Sequence, residues 1–202
     1  MSNAPLSTFL KDGTSQEHER LDKRIMTLAP FADRERYALF VRTQTRLQRV
    51  ASPLYQSEQL EQWLPGLAGR DRLTAALADC EDLGVPPEAV EEDQRAAQGV
   101  GAGDDYAALG WLYTVEGSNL GAAFLLKHAK SELGLSETFG ARHLAGHGDG
   151  RGLHWRRFKE GLDALMLSHD ERQRALQGAL DAFAFARQGV EALLATAEVD
   201  AQ

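Results

Sequence analysis

Two glycines one helical turn apart, Gly117 and Gly121, lie in a long apolar segment, residues 110–129. A glycine inside a helix costs roughly 1 kcal/mol against alanine, so a pair on one face indicates that side chains are excluded there. A flat ligand lying directly against the backbone would exclude them, because a Cβ would collide with it. A crossing of two helices lined by small residues is the commoner cause of such a pair. Spacing alone leaves both explanations open.

Three polar residues, Glu116, Ser118 and Asn119, flank these glycines. Polar groups beside exposed backbone hold ordered water in a pocket, which favours the ligand explanation. The same residues interrupt the most apolar stretch, 106–126, at its centre, where lipid would tolerate them worst. We therefore expect a buried helix and no membrane span.

A histidine lies on the apolar face of the first predicted helix. His18 follows Thr14 by four residues and precedes Leu21 and Ile25 by three and seven, so it is expected to project from that face and not toward solvent. Such a histidine is most often a hydrogen-bonded core residue. A neutral imidazole facing an apolar slot is also the axial ligand that haem iron requires.

The elements that must position these residues are helical. Apolar residues recur at three- and four-residue steps and no alternating strand is found, so the chain is predicted to be all-α, with 202 residues forming one domain, 1–202. The segment 84–105 is rich in glycine, proline and acids and predicts a surface connection. The predicted helices cover residues 14–28, 34–50 after an Asp33 cap, 70–83, 105–133 ending at Gly134, 137–144, 153–166, and 169–197 after a Ser168/Glu171 capping box.

Composition narrows the class of protein. The net charge of −8 argues against nucleic-acid binding and against adsorption to anionic membranes. The single cysteine, Cys80, excludes an internal disulfide framework and is predicted to be a buried, inert thiol in a reducing compartment. No secretory signal is visible at the N-terminus, so we expect a cytoplasmic protein, and nothing in the pattern demands more than a monomer.

Longer stretches of the sequence carry a family resemblance. EGSNLGAAFLLKHA, FGARHLAGHGDGRGLHWRRF and QGALDAFAF, together with TSQEHERLD and APFADRERYALFVRTQ nearer the start, resemble the bacterial biliverdin-producing haem oxygenases. The likeness is greatest to those of Gram-negative haem-scavenging bacteria, in which the enzyme serves iron acquisition. It spans nearly the whole chain in order and is strongest over residues 110–158.

The resemblance implies a helical bundle with haem between a proximal helix and a kinked, glycine-containing distal helix. His18 would be the proximal iron ligand, and Gly117 and Gly121 would bring the distal backbone close to iron-bound oxygen. The remaining pocket residues would organise distal water or close the pocket: Ser118, Asn119, Gln44 and His143.

The family's propionate-binding positions match Lys11 and Tyr113, and Lys127 and His128 are weaker candidates for the same rim. Members that produce atypical isomers have a lysine eight residues after the proximal histidine. This chain has Met26 there, so the α isomer of biliverdin is expected.

The implied reaction consumes O₂ and electrons and opens haem to biliverdin, carbon monoxide and ferrous iron, so that haem is both substrate and cofactor. The electron donor would be a ferredoxin, a flavodoxin or an NAD(P)H-dependent reductase. A basic patch, Arg151, Arg156, Arg157 and Lys159, is either a solvated face or the docking site for that donor.

Three alternatives are weighed against these expectations. A haem carrier or sensor of the same fold would bind without turnover, and an all-α relative could bind another planar ligand, with His18 in its core. The histidines His143, His147 and His154 invite a metal site, but no acid or thiol completes a zinc spacing.

Overall fold

The computed structural model describes residues 4–196, and over that range the chain is built from helices, with isolated bridges only at Ser136. None of the helices within those residues has a stretch long and apolar enough to cross a bilayer. The eight α-helices are α1 Leu6–Thr27, α2 Arg34–Tyr55, α3 Glu58–Trp63, α4 Leu73–Asp82, α5 Pro87–Ala97, α6 Asp105–Leu133, α7 Arg151–Ala164 and α8 His169–Val190. Short 3₁₀ turns occupy Ala68–Arg70 and Arg142–Leu144, and a π-helical turn, Glu191–Ala195, continues α8.

Local side chains set the helix ends where the sequence predicts them. Asp33 accepts a hydrogen bond from Arg36 N at 2.7 Å, and Asp104 caps α6 in the same way. Gly134 ends α6 in the left-handed conformation, at φ 65°. Ser168 opens α8 with the predicted capping box.

The predicted surface connection over 84–105 is wrong, because half of it is α5. A proline at the first helical position starts this helix, and Asp93 then turns its carboxylate into the core. Arg42 and Arg46 of α2 donate to that carboxylate at 2.8 and 2.6 Å. One of the acidic residues that suggested a loop, Asp93, therefore forms a buried ion pair that holds α5 against α2.

Other boundaries also differ from prediction. α1 begins at Leu6, eight residues early, because Leu6 and Leu10 are both core residues. α3 was not predicted, and only the Arg142–Leu144 turn of the expected 137–144 helix forms. α7 begins two residues before the predicted start, at Arg151.

The tightest helix crossing joins α6 to α8. A Cβ added to Gly110 would overlap the carbonyl oxygen of Ala175, and one added to Gly178 would overlap that of Ala107. The two backbones therefore touch directly at these glycines. This crossing lies two turns before Gly117.

Candidate active site

α1 approaches α6 at Asp12, and the segment that follows α1 approaches α6 again at Phe31. The surface between these two contacts is called the cleft below. At one end Asp12 lies near Tyr113, whose pKa is raised to about 12 by burial and, secondarily, by that carboxylate. At the other end the rings of Phe31 and His128 lie 5.4 Å apart. Fifteen residues separate Tyr113 from His128, so the cleft is about 22 Å long at 1.5 Å per residue.

Between these two contacts the surface of α6 is exposed and apolar. Within residues 4–196, no atom outside the glycine's own stretch of helix lies within 4 Å of the position that a Cβ on Gly121 would occupy. Beside it, Leu120 and Phe124 are 42% and 54% exposed, and Met26 of α1 is also exposed. Large apolar side chains exposed on facing helices are typical of a surface that binds an apolar ligand.

Gly117 contacts a side chain and no helix backbone. A Cβ there would lie 3.5 Å from Cη2 of Trp155, an ordinary contact distance. The small-residue crossing that could explain this glycine pair occurs instead at Gly110 and Gly178. Gly121 therefore leaves bare backbone beside open space, whereas the backbone at Gly117 lies against the Trp155 ring of α7.

His18 is not in the core, contrary to the expectation that it projects from the buried face. Leu10 and Thr14, on the same line of α1, are buried, but the imidazole is 58% exposed because α6 stands away from it. Phe183 of α8 approaches its ring edge-on at 6.1 Å. Its Nδ1 faces Asp22 Oδ2 at 3.4 Å, which places Nε2 on the far side of the ring. A carboxylate on one ring nitrogen commonly orients an imidazole whose other nitrogen binds a metal.

The polar residues predicted for the distal side differ in burial and in hydrogen bonding. Ser118 donates to the Val115 carbonyl at 2.6 Å, Asn119 is nearly buried, and Gln44 is partly buried on α2. Gln48, one turn after Gln44, was not predicted, although the four-residue spacing could have indicated it. Its Oε1 is buried and has no hydrogen-bond partner within the described residues, so it is suited to bind a water molecule.

Glu116 turns away from the cleft into the core, so it does not hold pocket water as predicted. It is 2% exposed and accepts hydrogen bonds from Tyr55 Oη and Arg70 Nη1, both at 2.7 Å. Burial raises the pKa of this carboxyl, and the charge of Arg70 opposes that rise. The residue immediately before Gly117 is thus an internal anchor of α6.

His143 lies in the buried Arg142–Leu144 turn. Its Nδ1 is 2.7 Å from Oδ2 of Asp79, and its Nε2 is buried without a partner in the described part of the chain. Asp79, which is fully buried, also accepts the main-chain N–H groups of Arg142 and His143. Sequence reasoning did not find Asp79, because sixty-four residues separate it from His143.

His147 and His154 stack on each other, with ring centroids 3.3 Å apart. Burial first, and then the charges of Arg70 and Arg72, lower the pKa of each to about 4. Arg72 Nη2 lies 2.8 Å from Nε2 of His147. Within residues 4–196 no three histidine, cysteine or acidic side chains are grouped so that they could hold a metal ion.

The four predicted propionate-binding residues do not share one rim. Lys11 is exposed beside Asp12, at the Tyr113 end of the cleft. Lys127 and His128 lie at the opposite end, about 22 Å away along α6. Only Lys11 and Tyr113 are placed to hold one edge of a ligand together.

The basic patch is smaller than predicted. Arg156 and Arg157 are exposed, and Lys159 lies over the ring of Trp155 at 5.8 Å. Arg151 does not belong to this surface, because its guanidinium is directed at main-chain carbonyls of Asn119 and Leu144. Cys80 is buried as predicted, and burial raises the pKa of its thiol.

The all-helical fold, an exposed histidine on α1 and bare backbone at Gly121 of α6 are features of a class of haem-binding proteins. The sequence matches the family described as "Heme oxygenase" over residues 4–192. The haem oxygenase PigA of Pseudomonas aeruginosa is 44% identical over 171 residues, which are 84% of this chain and 83% of PigA.

Solved structures agree with that match. The NO- and CO-bound haem oxygenase from Neisseria meningitidis is similar with a TM-score of 0.83 and 36% identity, over 95% of this chain and 92% of that one. The enzyme from Leptospira interrogans shares the fold, with a TM-score of 0.71 at 17% identity over 94% and 100% of the two chains. The chain belongs to the haem oxygenase family. It is a biliverdin-producing monooxygenase.

Proposed function

We propose that this haem oxygenase holds its haem in the cleft between α1 and α6, with His18 as the proximal iron ligand. The observation that carries this proposal is the open space at Gly121, flanked by exposed apolar side chains, between the two places where α1 and the segment after it approach α6. The residues along this cleft are chemically suited to bind haem. An imidazole oriented by Asp22 is a suitable donor to iron, and backbone without a Cβ admits a flat macrocycle.

Bound haem supplies an iron that activates O₂ and a ring that is itself the substrate. Between Gly117 and Gly121, the polar groups that α6 offers to the cleft are main chain and the hydroxyl of Ser118, since Glu116 is held in the core by Tyr55 and Arg70. No carboxylate of this segment is therefore placed to donate a proton directly. We infer that protons arrive through water held by Ser118, Asn119 and Gln44.

The orientation of haem follows from the two ends of the cleft. Lys11 supplies a cation and Tyr113 a phenol at one end, and both suit propionate groups. Met26, fifteen residues after Lys11 on the same helix, is not a cation. We propose that the product is the α isomer of biliverdin, which chromatography against authentic isomers would test. A β, γ or δ product would contradict this orientation.

We propose that an external protein supplies electrons by docking on Arg156, Arg157 and Lys159. Reversing the charge of Arg156 and Arg157 should slow turnover with a ferredoxin, flavodoxin or reductase and leave turnover with ascorbate unchanged. Arg95, an exposed arginine on α5, provides the matched control. Equal slowing with both reductants would reject the docking surface. The monomeric state and the cytoplasmic location stay predictions from the sequence.

An aerobic assay with hemin and ascorbate tests the function as a whole. We expect the Soret band to fade while the broad red absorption of biliverdin grows. A Soret band that persists under reduction in air would instead indicate a haem carrier. Absence of any Soret shift on adding hemin would contradict the proposed cleft.

A further inference from the structure

Arg151 occupies a position that local electrostatics do not explain. It is the first residue of α7, where the helix dipole disfavours a cation, and the first turn contains no acidic residue to compensate. Its cap residue, Gly150, provides no side-chain acceptor. The guanidinium is half-buried, and burial lowers its pKa. A reason for this arginine must come from its tertiary contacts.

Those contacts reach the distal helix between its two glycines. Arg151 Nη1 donates to the main-chain carbonyl of Asn119 at 3.0 Å. In a regular helix that oxygen accepts only the N–H group four residues later, that of Ala123. A second, charge-assisted donor from another helix therefore holds the backbone of α6 from outside.

The second terminal nitrogen of the guanidinium contacts a turn that is itself held in the core. Arg151 Nη2 donates to the carbonyl of Leu144, at the end of the Arg142–Leu144 turn. That turn is fastened to α4, since Asp79 accepts two of its N–H groups at 2.8 Å and Arg72 donates to the His143 carbonyl at 3.2 Å. Arg151 thus ties the glycine segment of α6 to a buried, hydrogen-bonded anchor.

We propose that Arg151 is a positioning residue that fixes the main chain of α6 between Gly117 and Gly121, and thereby sets the depth of the cleft. This inference rests on the proposed function, in which that backbone faces haem. Glycine segments have unusual backbone freedom and few side-chain contacts to restrain them, so an external tether has a clear physical purpose. A displacement of about 1 Å at such a position can cost about a hundredfold in rate.

The first test needs no haem. Hydrogen–deuterium exchange of the full-length protein is compared for wild type, R151Q and R151K, with R95Q as a matched arginine control. We expect amides 119–123 to exchange about tenfold faster in R151Q, the typical effect of losing one charge-assisted hydrogen bond. R151K should resemble R151Q, since an ammonium cannot span both carbonyls as a guanidinium fork does. Wild-type exchange in R151K would show that charge alone suffices and would overturn the proposal.

The second test measures hemin affinity and product composition in the haem-bound enzyme. Hemin affinity in R151Q should stay within about twofold of wild type, because His18 and its surroundings are unchanged. The product should change from a single biliverdin isomer to a mixture of isomers. Faster exchange throughout the protein with an unchanged isomer would show a merely structural role and would also overturn the proposal. If wild-type protein fails to bind hemin, the proposed function fails, yet the exchange data still decide whether the tether exists.

Discussion

Replacing Gly121 with alanine should stabilise the ligand-free protein and weaken its binding of hemin. Among the residues that the structure describes, no atom outside the surrounding helix turn lies within 4 Å of the added methyl group, so the substitution introduces no clash. Alanine is favoured over glycine inside a helix by about 0.5–1 kcal/mol. For a chain of this size, that gain corresponds to a rise in Tm of about 1–4 °C.

Hemin binding should change in the opposite direction, because the methyl group occupies the surface against which the macrocycle lies. Overpacking of this kind typically costs about 1–3 kcal/mol, so the Kd for hemin should rise roughly tenfold to a hundredfold. Gly121→Leu should abolish specific binding. The measurements are thermal unfolding without ligand and a titration followed by the Soret band.

Gly110→Ala is the matched control, since it adds the same methyl group to the same helix. There the methyl group would overlap the Ala175 carbonyl oxygen, so stability should fall by several kcal/mol, with a clear drop in Tm. If Gly121→Leu bound hemin with wild-type affinity, the ligand would not lie against this backbone. That result would refute the proposed position of haem.

Three further predictions concern histidine and arginine side chains. His18→Ala should lose the Soret shift given by hemin, and added imidazole should restore it; an unchanged spectrum would show that another residue binds the iron. Arg70→Met should destabilise the protein by about 3–5 kcal/mol in urea unfolding, since Glu116 is left buried without its cation, whereas a small loss would indicate that water replaces it. Because the pKa values of His147 and His154 are lowered to about 4 in the folded protein, the unfolded chain binds more protons between pH 4 and 6.5. The stability that the two neutral histidines contribute is therefore complete above pH 6.5 and is lost as the pH falls from 6.5 to 4. Replacing both with glutamine should make the free energy of unfolding depend less on pH in this range.

Sequence patterns predicted those helices whose ends depend on neighbouring residues. Asp33, Asp104 and Ser168 cap their helices through contacts within three residues, and such contacts are visible in a linear sequence. α5 was missed because its stability depends on α2. Asp93 is indistinguishable in the sequence from the acids around it, and only the fold shows that it meets Arg42 and Arg46.

In the candidate site, too, features set by neighbouring residues were predictable from the sequence, and those set by tertiary contacts were not. The spacing of Gly117 and Gly121 and the position of His18 in an apolar pattern were sufficient to nominate the two walls. The same spacing rules could not separate that glycine pair from Gly110, which lies on the same helix but serves a helix crossing. Arg151 was assigned to a surface patch, since its charge is evident in the sequence and the direction of its guanidinium is not.

These contacts together explain how one helix can carry two interior glycines at its functional centre. Before the glycines, α6 is fixed by its backbone contact with α8 at Gly110 and by the buried Glu116 carboxylate between Tyr55 and Arg70. Between the glycines, Arg151 holds the Asn119 carbonyl. None of these restraints places a side chain against Gly121. A segment that is weak by helix propensity is thereby held in place while the backbone at Gly121 stays open, and close approach to a flat substrate requires that combination.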